Sequence, residues 1–398
     1  MWQDNADVRS QAVEIARLAA TTRAYAAEWG LDAESITPET WEAVPLLSKE
    51  RLISAATDDP FGGRLTVQPA DLAWVFAAPG PIYMPYTADD MRRVTTAYAR
   101  ALGSCGFGPA DIVDQTLLYN WVIAATMVDQ ALRTLGCAIV PGGPGATDQH
   151  AEVIARVGVT GVVAMPSFLE HLLKTLGDRP HSLRKAVIMG ELSDAGAKQR
   201  ISDTYGVTVR EFYGVGDVGA VAYECERGEG MHLRSDLLIE FVNPETGEAS
   251  SPTKGSPCEI VVTDFARQAM PIVRLRSGDL VDEIIYDDCG CGNSAPRISR
   301  IVGRANDITK VRGMFIVPSL ITRTLGTMGI DSEHCVVVDR QQGRDEIEVL
   351  ISGAPTVDIE LVSTALERAM RIRTAVRFVE SLPPGEGVLR DLRRFEHH

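Results

Sequence analysis

The chain has neither a long apolar run nor an excess of basic charge, and each absence excludes a class of partner. No hydrophobic stretch approaches the roughly 20 consecutive apolar residues that a membrane-spanning helix needs. Lysine and arginine number 39 against 54 aspartates and glutamates, which gives a net charge of −15. A nucleic-acid-binding protein needs a basic face, and the single basic cluster here (Arg390, Arg393 and Arg394) also fits a solvated helix end. We therefore expect no membrane and no nucleic acid as partner.

A secretory signal and a disulfide framework are also missing. Residues 1–4 lack the basic and apolar regions of a signal peptide, which predicts a cytoplasmic protein. The cysteines number seven, an odd count that argues against disulfide pairing in this setting. Four of them lie in apolar runs and are expected in the core: Cys105, Cys137, Cys258 and Cys335. The terminal His397 and His398 resemble the remnant of an expression tag and are given no role.

The hydrophobic pattern predicts an α/β protein with two domains. Residues 11–29 have helical apolar spacing, and short apolar strands alternate with helices between 112 and 212, as in a mostly parallel sheet. From about 220 to 300 the pattern changes to strands and turns, which predicts an antiparallel β subdomain. We place the boundary after Gly303, with a large N-terminal domain over 1–303 and a small α+β domain over 304–398.

A set of short motifs resembles the phenylacetate–CoA ligase branch of the adenylate-forming superfamily, which includes the acyl-CoA synthetases. Any single motif is weak, but together they run in the family's order between about residues 80 and 388. The main ones are Tyr86-Thr87, Gly190-Glu191, Tyr213-Gly214-Val215-Gly216-Asp217, Glu224-Cys225, Gly230-Met231-His232, Arg274-Leu275-Arg276-Ser277-Gly278-Asp279, Cys289-Gly290-Cys291 and Ile301-Val302-Gly303-Arg304. The resemblance implies the family's fold, with a small mobile C-terminal domain. It also implies a reaction in which ATP activates a carboxylate as an acyl-adenylate and a thiol then takes the acyl group.

The resemblance also implies a nucleotide site, and its adenosine half is retained. The candidates for polar roles in catalysis are Glu191, Asp217 and Tyr213. The nucleotide-binding positions are Gly190, Glu211, Tyr213, Gly214, Asp279 and Arg304, with Asn306 at the hinge. In the family the tyrosine lies against the adenine and the aspartate bridges both ribose hydroxyls, which suits a carboxylate that only accepts. Structural roles remain open for three of them: Asp279 as a turn cap, Arg304 in a hinge ion pair and Tyr213 in the core.

The phosphate half of the family's site is degenerate. The family's phosphate loop is rich in serine, threonine and glycine, whereas residues 77–82 here have no hydroxyl, and Pro79 and Pro81 each remove a backbone donor. Val388 stands where the family has a lysine, and Asp217 replaces the glutamate that binds Mg²⁺. These departures argue against ATP and Mg²⁺ as ligands, while AMP or an acyl-adenylate still fits.

Three cysteines and one histidine have the number and type of ligands that a closed tetrahedral zinc site uses. They are Cys225, His232, Cys289 and Cys291, and the family resemblance covers the same positions. Glycines flank the Cys289–Cys291 turn and allow it to fold tightly around one ion. We expect a structural zinc ion; the alternative is four buried residues with no shared ligand.

The resemblance places the acyl group between a helix and the Tyr213-Gly214 turn. The candidate pocket residues are Tyr119, Asn120, Trp121, Met165, Phe168 and Met189. Aromatic and apolar walls suit an aryl acid, although each of these residues also fits plain core packing.

Three functions remain open from the sequence. The favoured one is an acyl-handling enzyme that passes an acyl group to a thiol (CoA or an acyl carrier protein) or to an amine, with ATP activation in question. The second is a fully active ATP-dependent aryl-acid ligase in which Arg390 replaces the missing lysine. The third is a catalytically silent partner of a true ligase. The expected ligands are a small carboxylic acid or its activated form, and the family resemblance adds a homodimer.

Overall fold

The protein is described by a computed structural model that covers most of the chain. The described residues are 6–78, 82–191, 196–244, 246–253, 257–301, 303–305, 309–311, 314–316, 318–341, 344–355, 357–370, 372–383 and 388–393. The chain divides into two units, residues 1–303 and 304–398. None of the described helices is both long enough and apolar enough to cross a bilayer.

The first unit contains eight of the described α-helices and fourteen of the described strands. Its helices are α1 (Ala6–Ala20), α2 (Arg23–Trp29), α3 (Lys49–Ala55), α4 (Ala88–Ser104), α5 (Ile123–Thr134), α6 (Thr147–Val157), α7 (Pro166–Leu176) and α8 (Ala197–Tyr205). Its strands are β1 (Trp74–Ala78), β2 (Ile82–Tyr86), β3 (Ile112–Gln115), β4 (Ala138–Val140), β5 (Gly161–Ala164), β6 (Lys185–Met189), β7 (Thr208–Val215), β8 (Gly219–Glu224), β9 (Met231–Leu233), β10 (Leu237–Val242), β11 (Cys258–Asp264), β12 (Ile272–Val281), β13 (Ile284–Ile285) and β14 (Arg297–Ile298). Short 3-10 helices lie at Ala33–Ser35, Trp41–Ala43 and Pro69–Asp71.

The helix expected over residues 11–29 is two helices, α1 and α2. The chain turns between them because two threonine hydroxyls donate to backbone carbonyls, Thr21 to Leu18 at 2.7 Å and Thr22 to Ala19 at 2.8 Å. Thr22 is extended (φ −83, ψ 152) and starts the second helix in a new direction. Side-chain hydroxyls of this kind compete with the helical backbone pattern, which the apolar spacing alone does not reveal.

Nine of the described strands form the main sheet, in the order β13-β14-β9-β8-β7-β6-β5-β3-β4. The strands from β3 to β7 pair in parallel, and α5 to α8 lie between them in the chain. This confirms the predicted α/β class. From β7 onward the pairing is antiparallel.

The region expected as one β subdomain contributes to two sheets. Strands β10, β11 and β12 pair antiparallel in a separate sheet. Strands β8, β9, β13 and β14 instead extend the main sheet. The reason is local: β8 follows β7 after three residues, and such a short connection makes adjacent antiparallel strands pair with each other.

Side chains of the central parallel strands alternate between two core clusters. Val162, Ala164 and Ile188 pack in one cluster with apolar residues of α6, α7 and α8. Val163 and Val187 pack in the other cluster, which includes residues of α4 and α5. Since successive strand residues point to opposite faces, the sheet is covered on both sides, and its carboxyl edge is left for a ligand.

The second unit is a smaller α+β structure. Strand β15 (Gly303–Arg304) lies at the boundary between the units. The later elements are β16 (Thr309–Val311), β17 (Met314–Ile316), α9 (Pro318–Thr327), β18 (His334–Gln341), β19 (Arg344–Ser352), α10 (Ile359–Met370), β20 (Ala375–Val379) and β21 (Leu389–Asp391). Within the described part of this unit, four strands form a sheet in the order β20-β19-β18-β21. Val336, Val349 and Leu366 belong to this unit's own core.

Candidate functional site at the sheet edge and a Cys/His cluster

Tyr213 and Asp279 meet in a buried hydrogen bond. Tyr213 lies near the carboxyl end of β7, and Asp279 lies on β12 of the other sheet. The tyrosine hydroxyl donates to Asp279 Oδ2 at 2.9 Å, and the two residues are 8% and 5% exposed. The residue expected at the adenine therefore contacts the residue expected at the ribose. A carboxylate has several acceptor positions, so Asp279 keeps capacity for further donors.

Two positions at this edge favour glycine, one because a neighbouring strand is close and one because of its backbone conformation. A side chain at Gly214 would place its Cβ 3.1 Å from the carbonyl oxygen of Gly219 on the neighbouring strand. Gly190, directly after β6, has a φ of +91°, a conformation that other residues rarely adopt. The structure thus explains both glycines by backbone geometry, and it brings them to the ends of two adjacent parallel strands.

Glu191 is positioned by the start of helix α7. Its Oε2 accepts from the backbone N–H of Ser167 at 3.2 Å. The first turn of a helix has unpaired N–H groups and a partial positive charge, so it stabilises a carboxylate there. This contact fixes Glu191 beside the turn of helix that carries Phe168.

Glu211 belongs to a charged group behind the tyrosine. Lys198 Nζ lies 3.4 Å from Glu211 Oε2 and 2.5 Å from Glu224 Oε1. The backbone N–H of Glu211 donates to Glu224 Oε2 at 2.9 Å. The carboxylate expected to accept from an adenine amino group is therefore already paired with a lysine that the sequence did not single out.

Asp217 is buried and paired with a lysine from the N-terminal region. Lys49 Nζ lies 3.0 Å from Asp217 Oδ2, and their side chains are 14% and 1% exposed. Arg267 Nη2 donates to the backbone oxygen of Asp217 at 2.9 Å, and its Nη1 donates to the hydroxyl of Tyr86 at 3.0 Å. Sequence reasoning missed both cations, because both contacts join residues far apart in the chain; the Ser48-Lys49 pattern, for example, indicates only a helix start.

The six residues expected in the acyl pocket have different environments. Tyr119, Met165 and Met189 are half-buried and pack against the first core cluster. Phe168 is half-buried against the second cluster. Asn120 is exposed, and Trp121 is 70% exposed. The first three residues supply apolar surface at the carboxyl edge, while Asn120 and Trp121 face solvent.

Trp121 has a strained backbone conformation for a large residue. Its φ is 68°, and the Val122 N–H donates to the Asn120 carbonyl at 2.8 Å across it. This three-residue turn with positive φ is rare. The Trp121 carbonyl accepts from the Ala77 N–H at 2.8 Å, so the turn is attached to β1. Strain of this kind in a non-glycine residue concentrates at functional sites.

The remaining predicted residues belong to the second unit or lie outside the described residues. Arg304 is half-buried on β15, at the start of the second unit. Asn306, Pro79 and Pro81 lie outside the described residues. Val388 is 36% exposed just before β21.

The four predicted metal ligands come together. One ligand atom each from Cys225, His232, Cys289 and Cys291 lies within 4.8 Å of all the others. Cys225 Sγ and Cys289 Sγ are 3.8 Å apart, and His232 Nε2 lies 3.4 Å and 3.3 Å from the sulfurs of Cys289 and Cys291. Tetrahedral zinc with Zn–S bonds of about 2.3 Å separates two sulfurs by about 3.8 Å. The separation of the Cys225 and Cys289 sulfurs therefore matches that of two sulfurs bound to one tetrahedral ion.

The histidine of this cluster is oriented by the backbone. His232 Nδ1 lies 2.9 Å from the carbonyl oxygen of Ala295. A proton on Nδ1 donates to that oxygen and leaves the Nε2 lone pair directed at the cysteines, as is usual for metal-binding histidines. Burial lowers the pKa of His232, which favours the neutral ring.

A second histidine, His150, was not anticipated. Its Nδ1 lies 2.7 Å from Asp114 Oδ2 and its Nε2 lies 3.0 Å from the carbonyl oxygen of Gly143. The hydrogen bond with Asp114 raises the pKa of His150, and both residues are buried. The ring attaches the loop after β4 to the carboxyl end of β3, and it also contacts the Phe168 ring at 5.4 Å between centroids.

The chain is similar to several curated and solved proteins. Phenylacetate-coenzyme A ligase of Thermus thermophilus is 27% identical over 306 residues, covering 73% of this chain and 68% of that protein. Phenylacetate-coenzyme A ligase of Aromatoleum evansii is 24% identical over 345 residues, covering 82% and 77%. No protein-family profile matches the chain.

A solved structure extends the likeness to the fold. The crystal structure of 2-hydroxyisobutyryl-CoA ligase in complex with 2-HIB-AMP and CoA matches with a TM-score of 0.88 at 22% identity, covering 98% of this chain and 90% of that chain. This likeness confirms the predicted adenylate-forming ligase fold. The chain is thus similar in sequence to the phenylacetate-coenzyme A ligases and has the fold of 2-hydroxyisobutyryl-CoA ligase.

Proposed function

We propose that this protein is an acyl-handling enzyme that binds a hydrophobic carboxylate in activated form and passes its acyl group to a thiol or an amine. The observation that carries the proposal is the buried contact between Tyr213 and Asp279, at 2.9 Å, beside the carboxyl edge of the main sheet. The relatives named phenylacetate-coenzyme A ligase support an aryl acid and CoA as the first candidates. Half-buried Tyr119, Met165 and Met189 supply apolar surface for the acyl group.

The residues at the family's phosphate-binding positions support a role in the step that follows activation of the carboxylate by ATP. Strands β1 and β2 remain paired as far as Ala78 and Ile82, so only residues 79–81 connect them. Pro79 and Pro81 have no N–H, which leaves one backbone donor in a connection that would have to bind a chain of phosphates. Val388 offers no charge in place of the family's lysine. We therefore propose that an acyl-adenylate or AMP binds better than ATP.

Titration calorimetry tests this proposal with AMP, ATP–Mg²⁺ and a phenylacetyl-adenylate mimic. We expect the mimic or AMP to bind and ATP–Mg²⁺ to bind at least about tenfold more weakly, because donors for the outer phosphates are lacking. Asp279→Asn should weaken binding of the mimic, whereas the exposed substitution Glu152→Gln on α6 should not. Tight binding of ATP–Mg²⁺ would refute the loss of activation, and no binding at all would favour a catalytically silent partner.

We propose that the first unit is the acyl- and nucleotide-binding domain and the second is the small C-terminal domain of the family.

The identity of the acyl acceptor is tested by supplying chemically made phenylacetyl-adenylate together with CoA or with an amine. The acylated product is then followed by chromatography. Light scattering after size exclusion tests the homodimer expected from the family resemblance.

We also propose that the Cys/His cluster binds one structural zinc ion. Its ligand type, its spacing and the backbone contact that orients His232 all support zinc. An ion there would join the β8–β9 region to the turn at residues 289–291.

Metal analysis of the purified protein tests the zinc site. We expect about one zinc per chain, and Cys289→Ser should lower this content and reduce stability, because a structural zinc site contributes directly to folding. Cys137→Ser is the matched control, since Cys137 Sγ contacts the Gly108 carbonyl in another part of the first unit. Zinc content unchanged in Cys289→Ser would contradict the assignment.

A further inference from the structure

Asp217 stands where the family resemblance implies a glutamate that binds Mg²⁺, and its surroundings do not fit a divalent ion. Mg²⁺ requires near-octahedral oxygen ligands at about 2.0–2.1 Å. Here one carboxylate oxygen, Oδ2, already pairs with an ammonium group, Lys49 Nζ, at 3.0 Å. A guanidinium, that of Arg267, binds the backbone oxygen of the same residue at 2.9 Å. Two protein cations therefore surround the position.

The position of Lys49 is fixed by the backbone. Leu47 lies alongside β12: its N–H donates to the Arg274 carbonyl and its carbonyl accepts from the Arg276 N–H, each at 2.9 Å. Ser48 then caps α3, its side chain accepting from the Arg51 N–H at 3.3 Å. Lys49 is the first residue of that helix, so its ammonium reaches Asp217 from an anchored segment. The ion pair is a product of the fold and not of a free surface side chain.

The ion pair also changes the charge of the site. A carboxylate with a divalent ion has a net charge of +1, whereas Asp217 with Lys49 has a net charge of zero. The site therefore lacks one positive charge relative to a metal-loaded site, which disfavours a triphosphate more than the singly charged acyl phosphate of an acyl-adenylate. The second oxygen, Asp217 Oδ1, is buried and lacks a hydrogen-bond partner among the described residues.

We propose that Lys49 is the resident cation of this site, so that its ammonium replaces the divalent metal on Asp217 and ligand binding is independent of Mg²⁺. This inference rests on the proposed function for the identity of the ligand, an adenylate. The occupation of Asp217 by Lys49 is independent of it and is measured separately below.

Binding of Mn²⁺, followed by electron paramagnetic resonance on the full chain without nucleotide, tests the inference. The wild type and Asp217→Asn should bind Mn²⁺ alike, because Asp217 is already paired. Lys49→Met should gain a site at least about tenfold tighter, since removal of a like charge near the carboxylate favours a cation, and the gain should vanish in Lys49→Met/Asp217→Asn. Lys49→Arg keeps the charge and should show no gain. A wild-type site lost in Asp217→Asn, or no gain in Lys49→Met, would overturn the proposal.

A second experiment needs no variant and therefore does not depend on the folding of one. It compares the affinity of the wild type for the phenylacetyl-adenylate mimic with and without added Mg²⁺. We expect the same affinity in both buffers; an increase of about tenfold with Mg²⁺ would overturn the proposal. If the mimic does not bind at all, the proposed function fails while the Mn²⁺ experiment still decides the role of Lys49.

Discussion

Two aspartates near the sheet edge each contact a chemically different group. Asp279 accepts from a neutral hydroxyl, that of Tyr213, at 2.9 Å. Asp217 faces an ammonium, that of Lys49, at 3.0 Å. An ammonium neutralises the carboxylate it contacts, whereas a hydroxyl leaves its charge in place. The ammonium of Lys49 therefore disfavours a divalent ion at Asp217, as proposed above, whereas the Tyr213 hydroxyl adds no charge at Asp279.

The protonation of His150 should affect the stability of the fold. Both ring nitrogens face oxygen acceptors, Asp114 Oδ2 and the Gly143 carbonyl. The protonated ring donates to both, and the hydrogen bond with Asp114 raises the pKa of His150. A neutral ring donates to only one and leaves the other buried oxygen without a donor.

We expect the stabilising effect of His150 to depend on pH. Because the folded pKa is raised, the contribution should be complete below the unfolded pKa of about 6.5 and should be lost as the pH rises through the folded pKa. Urea unfolding of wild type and His150→Gln, from about pH 6 to about pH 9, measures it. The difference between the two should shrink with rising pH. The exposed His171→Gln is the control, and a constant difference across this range would contradict the interpretation.

At the scale of the element, helix α4 begins with a capping box that also joins two parts of the first unit. Thr87 Oγ1 accepts from the Asp90 N–H at 3.1 Å, and Asp90 Oδ2 accepts from the Thr87 N–H at 3.0 Å. The same carboxylate accepts from the backbone N–H groups of Gln268 at 2.8 Å and Ala269 at 3.1 Å. Asp90 therefore connects the helix start to the segment before β12.

Substitutions at this cap should have graded effects on the free energy of unfolding. Thr87→Ala should cost about 1 kcal/mol, the usual loss of a capping side chain. Asp90→Asn should cost at least about 2 kcal/mol, because buried N–H groups lose a charged acceptor. The neighbouring Asp89→Asn, whose exposed carboxylate pairs with Arg92, should cost less than about 1 kcal/mol. Chemical denaturation measures the free energy of unfolding of each variant. Equal losses of stability in Asp89→Asn and Asp90→Asn would contradict the proposal that Asp90 connects the helix start to residues 268–269.

Several elements could be predicted from the sequence because apolar periodicity and chain breakers act locally. Helix α6 (Thr147–Val157) begins after a run of prolines and glycines, and β6 (Lys185–Met189) is a short apolar run before Gly190. The break between α1 and α2 was missed because threonine side chains, which periodicity ignores, terminate the first helix.

For the whole molecule, each unit has its own core. The first unit packs two clusters on opposite faces of the main sheet. The second packs a separate cluster of valine, isoleucine and leucine side chains. A core that is complete within one unit allows that unit to unfold cooperatively by itself.

We therefore expect two transitions in calorimetry. Leu366→Ala, in the second unit, should destabilise one transition, and Leu132→Ala, in the first, should destabilise the other; both side chains are 0% exposed. A loss of about 2–5 kcal/mol is typical for a buried leucine truncated to alanine. A single transition shifted by both substitutions would show that the two units unfold as one.

The sequence by itself determined the α/β class, the family resemblance, the four possible metal ligands and the candidate tyrosine and aspartate of the adenosine site. These follow from local periodicity and from motifs whose residues keep a fixed order. Only the tertiary structure decided that Lys49 pairs with Asp217, that His150 pairs with Asp114 and that β8, β9, β13 and β14 extend the main sheet. Such contacts join distant segments, and their partners are selected by burial and charge in the folded chain, which no local pattern encodes.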